Sequence, residues 1–337
     1  MSINIGINGF GRIGRIILRE LLAHKDNEGI RVTAINDITD AHTLAHLFKY
    51  DSIHRTFPGE ISSSEGKFTV NGRDVKIFAE KDPSKINWKD AGVDVVLECS
   101  GIFTSKEKAS AHHKGGAKKI IISAPSSDPD VTIAYGVNHG DYKAQEHHIL
   151  SCASCTTNAL APVARVILDN FGIVRGTMTT IHSFTNDQRI LDLPHKDLRR
   201  ARAATMSMIP TSTGAAKAIG LVIPALKGKM DGFAMRVPTP DVSVVDLVVE
   251  LERDASAEDL NRAFRNASEG ALKNILQFSQ EPLVSVDFTG NRHSSIVDAL
   301  STMVIQKRLA KVIAWYDNEV GFSSRMIDVT KMVAASL

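Results

Sequence analysis

The sequence predicts an α/β protein with two parts, a parallel-sheet domain and an α+β domain with a mixed, largely antiparallel sheet. Residues 3–9 alternate like a strand and lead into apolar residues at helical spacing and a second strand, "IRVTAIND"; this βαβ order favours a parallel sheet. After about residue 150, β-branched runs with fewer helices favour a mixed or antiparallel sheet. We therefore expect one domain over 1–153, completed by a C-terminal helix at 320–337, and another over 154–319.

The composition indicates a globular protein of about two domains. The 337 residues suit two domains, and 43% hydrophobic with 23% charged residues is typical of a globular chain. Forty basic and 38 acidic side chains leave a net charge of +2, so no global field selects nucleic acid or an anionic membrane as partner. Three cysteines, an odd number, argue against a disulfide framework and for a reducing compartment, so we expect a cytoplasmic protein.

The remaining elements of the first half follow in order. Buried-strand patterns occur at "VDVVLECSG" and "KKIIISAPS", each followed by polar, Gly or Pro residues. Asn71-Gly72 stands between two apolar runs, which is typical of a hairpin turn. We therefore expect one antiparallel hairpin within an otherwise parallel half.

The second half reads as long strands interrupted by helices. Helical spacing predicts helices at about 157–171, 212–220 and 256–269, and an amphipathic helix in "SSRMIDVTKMVAASL". The predicted strands are "VRGTMTTIHSF", "FAMRVPTP", "VSVVDLVVELE", "PLVSVDF", "SSIVDA" and "TMVIQKRLAKVIAWYD".

A glycine-rich turn joins the first strand to the first helix. Gly9, Gly11 and Gly14 match G-x-G-x-x-G, in which the glycines permit a tight turn, approach to a pyrophosphate, and close helix packing. The helix N-terminus would bind that phosphate. Asp37 ends the second strand, where its carboxylate would accept from a ribose diol and repel a 2′-phosphate. This arrangement predicts NAD, rather than NADP, as cofactor.

The stretch "SCASCTTNA" admits a zinc site, a redox dithiol or a single nucleophile. No further Cys or His ligands follow at suitable spacing, so the zinc interpretation fails and we expect no metal. A thioredoxin-like dithiol remains open, although it would normally lie in its own small fold. The third interpretation selects Cys155, because a predicted helix begins at or near it.

A reactive thiolate needs more than a helix end. A thiol with pKa near 8.5 is mostly protonated at neutral pH, and a helix N-terminus supplies only about 1 kcal/mol toward ionisation. A second cationic or donor partner is therefore required. His182 ends the strand "GTMTTIHSF" and precedes a polar run, so it is the histidine that we expect to pair with Cys155.

Six motifs together resemble glyceraldehyde-3-phosphate dehydrogenases of the phosphorylating, NAD-dependent type. They are "SCASCTTN", "IHSFTNDQ", "LPHKDLRRARAA", "TSTGAAKA", "MRVPTP" and "WYDNE". The resemblance extends from "INGFGRIGR" to "NEVGFSSRMIDV", essentially the whole chain. It implies a Rossmann-type NAD domain and a catalytic domain.

The resemblance also implies a reaction. Cys155 would attack the aldehyde of glyceraldehyde 3-phosphate, His182 would accept the proton, and hydride would pass to NAD. Inorganic phosphate would then attack the thioester and give 1,3-bisphosphoglycerate, a step of glycolysis and gluconeogenesis. A related dehydrogenase acting on erythrose 4-phosphate, and a binding protein that reuses the fold, are the alternatives.

The resemblance assigns further residues to ligands. Thr185 and Arg236 match positions that hold the substrate phosphate, and Arg200 matches a further anion-binding arginine. The residues that match positions around the attacking phosphate are Ser154, Thr156, Thr213 and Gly214. The NAD contacts are Arg12, Ile13, Asp37, Lys81, Ser123 and Asn318. An arginine-rich segment at about 184–207 resembles an interface loop, which implies a homotetramer.

Overall fold

The computed structural model describes residues 3–337, and this part of the chain divides into two compact units. One unit runs through Ile133 and includes His139–Ala153 and Ser323–Leu337. The other contains Ala134–Asn138 and Ser154–Phe322. Across 3–337, no helix combines the length and apolar character needed to cross a bilayer.

The first unit alternates strands with helices. Its helices are α1 (Arg12–Ala23), α2 (Ala41–Lys49) and α3 (Lys106–Ala109). Its strands are β1 (Ile3–Asn8), β2 (Ile30–Asn36), β3 (Tyr50–Asp51), β4 (Arg55–Thr56), β5 (Ile61–Ser64), β6 (Lys67–Val70), β7 (Arg73–Phe78), β8 (Val95–Glu98), β9 (Lys119–Ile122), β10 (Val131–Thr132) and β11 (Ile149–Ser151). The predicted β1–α1–β2 unit is confirmed, with β1 and β2 parallel.

A largely parallel sheet forms the centre of this unit. Within the described residues it has nine strands in the order β10-β11-β9-β8-β1-β2-β7-β6-β5. The pairs from β10 to β7 are parallel, and those of β7 with β6 and β6 with β5 are antiparallel. Trp88, Val96 and Ile120 belong to an apolar cluster in the core of this unit.

The predicted hairpin is confirmed at the edge of this sheet. Asn71 and Gly72 join β6 to β7 with φ angles of 49° and 73°. Positive φ at both central positions matches the right-handed twist of the flanking strands, and Asn and Gly tolerate it. The hairpin therefore extends the parallel sheet by antiparallel strands.

The second unit contains a mixed sheet. Its helices are α4 (Cys155–Phe171), α5 (Ala215–Val222) and α6 (Ala257–Glu269), and α7 (Val320–Ala334) begins here. Its strands are β12 (Ile173–Ser183), β13 (Ile209–Ser212), β14 (Met230–Val237), β15 (Ser243–Leu251), β16 (Leu276–Ser279), β17 (Ser295–Asp298), β18 (Met303–Ile305) and β19 (Leu309–Tyr316). Among residues 3–337 this sheet has eight strands, ordered β13-β14-β12-β15-β19-β17-β16, with β18 beside β19.

Pairing in this sheet is largely antiparallel, as predicted. Only β12 with β14 and β16 with β17 run parallel in the described chain. Helices α4, α5 and α6 contribute to an apolar core that includes Leu160, Ile219 and Phe264. Burial of these side chains fixes α4, whose first residue is Cys155.

Two predicted strands are wrong. "PLVSVDF" contains a short 3-10 helix, Ser285–Phe288, because the Asp287 carboxylate accepts from Val284 N at 2.8 Å and closes a turn. The run at 302–317 is two strands, β18 and β19, separated by Gln306 and Lys307. Both of these residues have positive φ, 47° and 58°, without the Asn-Gly signature that marks such a turn.

Candidate active site

The glycine-rich turn has three glycines with three different surroundings. A Cβ on Gly9, whose φ is +89°, would lie 2.6 Å from the backbone of Ser100, and a Cβ on Gly14 would lie 2.5 Å from Gly9 O. A Cβ on Gly11 would meet nothing within 4 Å. Gly9 and Gly14 are therefore required by close packing, and the space at Gly11 suits the approach of a ligand.

The first turn of α1 presents a helix N-terminus at this place. Its N-cap, Gly11, has no side chain to cap the helix, so a phosphate could take that role. Ile13 lies in the first turn. The Arg12 guanidinium is held by Asp51, with Nη1 2.5 Å from Oδ2. Burial would raise the pKa of Asp51, but hydrogen bonds from His54 N, Arg12 and Ile53 N lower it to about 2.

The other expected cofactor residues of the first unit follow strand ends. Asp37 follows β2, and its carboxylate accepts from the backbone N–H groups of Phe10 and Thr39 at 2.8 and 3.0 Å. Lys81 is exposed in the loop after β7, and Ser123 follows β9. The carboxyl ends of parallel strands form the usual dinucleotide edge, so these positions fit NAD.

Asn318 lies in the second unit and is 7% exposed. Its Oδ1 accepts from Ser183 Oγ at 2.7 Å and from Ser243 Oγ at 2.9 Å. These two bonds fix the orientation of the amide. The Nδ2 donors are thereby directed away from the serines, and they could bind a carbonyl oxygen.

Cys155 is the first residue of α4, which confirms its expected place at a helix start. Ser154 is the N-cap, and its Oγ accepts from Thr157 N at 3.0 Å. The thiol therefore lies near the positive end of the helix macrodipole. Pro162 lies inside α4 without ending the helix.

His182 lies near the end of β12, and its ring faces the thiol. Its Nε2 is 3.5 Å from Cys155 Sγ. Its Nδ1 is 2.7 Å from the carbonyl oxygen of Ser183, which accepts in the tautomer that carries the ring proton on Nδ1. In that tautomer Nε2 is available to accept the thiol proton.

Arg236 reaches the same ring from the neighbouring strand. In the parallel pair β12/β14, His182 is registered directly opposite Arg236. Arg236 Nη1 lies 2.8 Å from His182 Nδ1 and 3.0 Å from Ser183 O. A guanidinium can only donate, so Arg236 donates to Ser183 O when the ring proton is on Nδ1, and it can donate to Nδ1 when that proton is on Nε2. The structure thus brings together three predicted residues, Cys155, His182 and Arg236.

Tyr316, in β19, contacts the helix that carries Cys155 and the strand that carries His182. Its hydroxyl is 2.8 Å from Thr156 Oγ1 and 2.8 Å from Thr180 Oγ1. Thr156 Oγ1 is in turn 4.0 Å from Cys155 Sγ. Thr156, predicted beside the attacking phosphate, is 3% exposed and its hydroxyl contacts Tyr316.

Burial shifts the pKa values of this cluster. It raises the pKa of the Cys155 thiol above its usual value, and the Arg236 guanidinium and hydrogen bonds with Thr156 offset only part of that rise. Burial, and then Arg236, lower the pKa of His182. A lone imidazolium is therefore disfavoured here, and a proton on His182 is stabilised when Cys155 is a thiolate.

The remaining expected anion-binding residues occupy the loops around β13. Arg200 Nη1 pairs with Asp187, and its Nε donates to Thr211 Oγ1 at 2.9 Å. Gly214, exposed, is the N-cap of α5, and a Cβ there would meet nothing within 4 Å. Thr213 Oγ1 accepts from Ala215 N at 3.2 Å.

Thr185 lies in the loop after β12 and is partly exposed. Its backbone carbonyl accepts from Gln188 N at 2.9 Å and closes a turn. The side-chain hydroxyl takes no part in that hydrogen bond. This position suits a hydroxyl donor to a phosphate.

Sequence reasoning did not find Tyr316 or the contact of Arg236 with the His182 ring. Both depend on strand register, which no local motif encodes. Cys152 is 1% exposed in the first unit, where burial, and then Cys99, raise the pKa of its thiol. Arg236 opposes the effect of burial on the pKa of Cys155 but not on that of Cys152, so Cys152 is the poorer nucleophile of the two. None of the three cysteines, all within the described residues, forms a disulfide.

Comparison with known proteins gives consistent matches. Residues 3–106 match the family model of the glyceraldehyde 3-phosphate dehydrogenase NAD-binding domain, and residues 154–318 match that of its C-terminal domain. A glyceraldehyde-3-phosphate dehydrogenase of Geobacillus stearothermophilus is 56% identical over 335 residues, covering 99% of each chain. Similar proteins are glyceraldehyde-3-phosphate dehydrogenase 1 of Bacillus cereus, 58% identical with 96% of each chain covered, and glyceraldehyde-3-phosphate dehydrogenase 2 of Streptomyces avermitilis, 51% identical with 100% covered.

Proposed function

The chain belongs to the glyceraldehyde-3-phosphate dehydrogenase family, and from this premise we propose which residues carry each part of the reaction. It is an NAD-dependent oxidoreductase with the glycolytic activity of that family, and the family implies glyceraldehyde 3-phosphate and inorganic phosphate as substrates. The relatives reported above carry the triose name, so the four-carbon alternative is not favoured. The 3.5 Å approach of Cys155 Sγ to His182 Nε2 is the observation that carries the residue assignment.

Cys155 is the nucleophile in this proposal. Its sulfur forms a bond to the aldehyde carbon of glyceraldehyde 3-phosphate, and the thiol proton goes to His182 Nε2. The helix start and Arg236 favour negative charge on the sulfur, which supports this attack. His182 gives that proton on to the aldehyde oxygen, so the product is a neutral thiohemiacetal on Cys155 and the imidazole is free to accept again.

His182 then acts as the proton acceptor for the thiohemiacetal hydroxyl. NAD, when bound, supplies the hydride acceptor, and the thiohemiacetal becomes a thioester. An oxygen of inorganic phosphate attacks the thioester carbon, the Cys155 thiolate leaves, and 1,3-bisphosphoglycerate forms. Covalent capture thus divides one difficult reaction into linked steps.

Two anion sites serve the two phosphates. We assign the substrate phosphate to Thr185 and Arg236. Arg200, on the loop before β13, is assigned as a further anion-binding arginine. Arg236 is in contact with the His182 ring, so an anion bound to Arg236 would lie near the reactive pair. The attacking phosphate is assigned to Ser154, Thr156, Thr213 and Gly214. Hydroxyls, guanidinium groups and helix N-termini are the usual phosphate donors.

The cofactor is assigned to the first unit, with Asn318 of the second unit orienting the nicotinamide amide. The close contacts at Gly9 and Gly14, and the space at Gly11, support binding of the pyrophosphate at the turn. Arg12, Ile13, Lys81 and Ser123 complete this part of the assignment. Asp37, held by two backbone N–H groups, presents a fixed carboxylate for a ribose diol.

We also propose a cytoplasmic homotetramer. Segment 184–208 exposes several large apolar side chains to a degree that is unusual for a monomer surface: Ile190 79%, Leu191 69%, Leu193 58%, Leu198 81%, Met206 79% and Met208 74%. A segment with this many exposed apolar side chains suits a subunit interface. Light scattering coupled to gel filtration would test it, and a monomer at micromolar concentration would contradict it.

Formation of NADH tests the proposed function. The chain should reduce NAD with glyceraldehyde 3-phosphate when phosphate is present, and arsenate should replace phosphate because it also attacks the thioester. Erythrose 4-phosphate should be turned over more slowly. Equal or better turnover of erythrose 4-phosphate, or NADH formation that ignores phosphate and arsenate, would contradict the assignment.

A further inference from the structure

A chain of buried polar side chains links three strand ends beside the glycine-rich turn. Asn36, Asn8 and Glu98 are the last residues of β2, β1 and β8, and none is more than 4% exposed. Asn36 Nδ2 donates to Asn8 Oδ1 at 2.7 Å, and Asn8 Nδ2 donates to Glu98 Oε2 at 2.5 Å. The three parallel strands are therefore joined at their carboxyl ends by side chains as well as by the backbone.

The backbone of Glu80 fixes which way both amides face. Glu80 N–H donates to Asn36 Oδ1 at 2.9 Å, and Asn36 Nδ2 donates to Glu80 O at 2.9 Å. A backbone N–H can only donate and a carbonyl can only accept, so the Asn36 amide has one orientation. Asn8 must then turn its oxygen to Asn36 and its amino group to Glu98.

Trp88 fixes the direction at the other side of Glu98. Its Nε1–H, which can only donate, is 3.1 Å from His112 Nδ1. His112 Nδ1 must therefore be an acceptor, and the neutral ring carries its proton on Nε2. Since Nε2 is 2.9 Å from Glu98 Oε2, His112 donates to Glu98.

Each carboxylate oxygen of Glu98 therefore accepts from two donors. Besides Asn8 and His112, the backbone N and the Oγ of Ser100 donate to Glu98 Oε1 at 2.8 and 2.5 Å. A carboxylate is the side chain of this shape that accepts from four donors, and a carboxamide in either orientation would oppose at least one of them with its own N–H groups. Glu98 is therefore the terminal acceptor of the network.

The network adjoins three of the proposed cofactor segments of this unit. Asn8, Asn36 and Glu80 immediately precede Gly9, Asp37 and Lys81. Ser100, anchored by Glu98, supplies the backbone that leaves no room for a Cβ on Gly9, since such an atom would lie 2.6 Å from it. We propose that Glu98 is a positioning residue for NAD, whose carboxylate sets the polarity of the network and thereby the relative placement of these segments. This inference rests on the proposed assignment of Gly9, Asp37 and Lys81 to the cofactor.

Glu98→Gln tests the inference. The introduced amide N–H groups would face either Asn8 Nδ2 and His112 Nε2 or the backbone N–H of Ser100, so in both orientations at least one donor faces another donor. We expect the Kd for NAD, measured by calorimetry on the full chain, to rise about tenfold or more, the scale of one lost charged hydrogen bond. At saturating NAD, kcat and the KM for glyceraldehyde 3-phosphate should stay within about twofold, because Glu98 does not act on the chemistry.

An exchange of the carboxylate and the amide provides the sharper test. In Asn8→Asp/Glu98→Gln, the introduced aspartate accepts from Asn36 as Asn8 did, and the introduced glutamine donates to it while still accepting from Ser100. Only the His112 bond stays opposed. The double variant should therefore bind NAD more tightly than Glu98→Gln and more tightly than Asn8→Asp, which places two carboxylates together. Asn4→Asp, on the partly exposed end of the same strand, is the matched control and should leave the Kd unchanged.

The outcomes separate this inference from the proposed function. Parent protein that binds no NAD would overturn the proposed function itself. Two results would overturn the positioning role while the parent still binds NAD. One is a loss of NAD affinity in Asn8→Asp/Glu98→Gln that equals the sum of the losses in the two single variants, and the other is a Glu98→Gln defect in kcat rather than in Kd. If Glu98→Gln fails to fold, a folded, NAD-binding double variant supports the inference, and a double variant that also fails to fold overturns it.

Discussion

Two buried polar clusters in this chain are built in opposite ways. In the first unit, Glu98 accepts four hydrogen bonds and each neighbour has a fixed direction of donation. In the second unit, Cys155 Sγ and His182 Nε2 are 3.5 Å apart, and the buried Arg236 Nε meets no acceptor among the described residues. In the first cluster the chain itself supplies the hydrogen-bond partners of Glu98, whereas in the second a buried donor is left without an acceptor.

This difference matches the work that each cluster is assigned. A cofactor turn must keep one shape, and a fully satisfied buried network provides rigidity because any reorientation loses hydrogen bonds. The ionisable groups of a reactive site must change charge and hydrogen-bond partners during turnover, so their pKa values are shifted from the ordinary ones. Perturbed pKa values at Cys155, His182 and Arg236, all lowered or raised first by burial, are consistent with such a site.

Substitution of the two cysteines should produce the largest contrast. Cys155→Ser should reduce NADH formation by about a thousandfold or more, because a serine hydroxyl is not ionised at neutral pH. Cys152→Ser, the matched control in the first unit, should change kcat by less than about threefold, since its buried thiol is not part of the reactive pair. Comparable losses in both variants would refute a single nucleophile.

Loss of Arg236 should come next. Arg236→Ala removes the guanidinium beside the His182 ring and the proposed phosphate ligand, so we expect kcat/KM for glyceraldehyde 3-phosphate to fall about a hundredfold. Arg236→Lys keeps the charge and should lose less. The distinguishing measurement is a full set of kcat and KM values, and an alanine variant within a few-fold of the parent would exclude Arg236 from the site.

Asp37 tests the first unit with a smaller effect. Asp37→Ala removes the carboxylate that would repel a 2′-phosphate, so the ratio of kcat/KM for NAD to that for NADP should fall by about tenfold, equal to roughly 1.4 kcal/mol. Asp40→Ala is a control on the same loop, because Asp40 caps α2 instead. An unchanged ratio in Asp37→Ala would show that another group sets the preference.

Tyr316 should give the smallest effect on activity and a measurable effect on stability. Tyr316→Phe leaves the Thr156 and Thr180 hydroxyls without their shared partner, which should lower the free energy of unfolding by about 1 to 2 kcal/mol. The denaturation midpoint in urea reports this change. A variant as stable as the parent would show that these two hydrogen bonds contribute nothing net.

Local signals allowed the sequence to predict much of this architecture. The glycine turn, Asp37 at a strand end, the Asn71-Gly72 hairpin and the helix start at Cys155 each depend on a few neighbouring residues. Such features follow from backbone preferences that short segments carry themselves. The mixed second sheet was also predictable from its β-branched runs.

Long-range register could not be predicted in this way. His182 and Arg236 are 54 residues apart and meet only because β12 and β14 pair in parallel with one register. The error at "PLVSVDF" has the same origin: Val284 and Val286 are 59% and 71% exposed, so no sheet face covers the alternation that suggested a strand. Glu98 carries no motif, and its role depends on three strand ends meeting.

The central claim is that His182 sustains the thiolate of Cys155, and the pH dependence of thiol alkylation tests it most directly. The rate of reaction with iodoacetamide rises with pH as the thiol ionises. Without its partner the buried thiol should ionise at higher pH, so His182→Asn should move the inflection upward from that of the parent by at least about one pH unit. Cys152→Ser should keep the parent's profile. An inflection in His182→Asn equal to or below that of the parent would contradict the account.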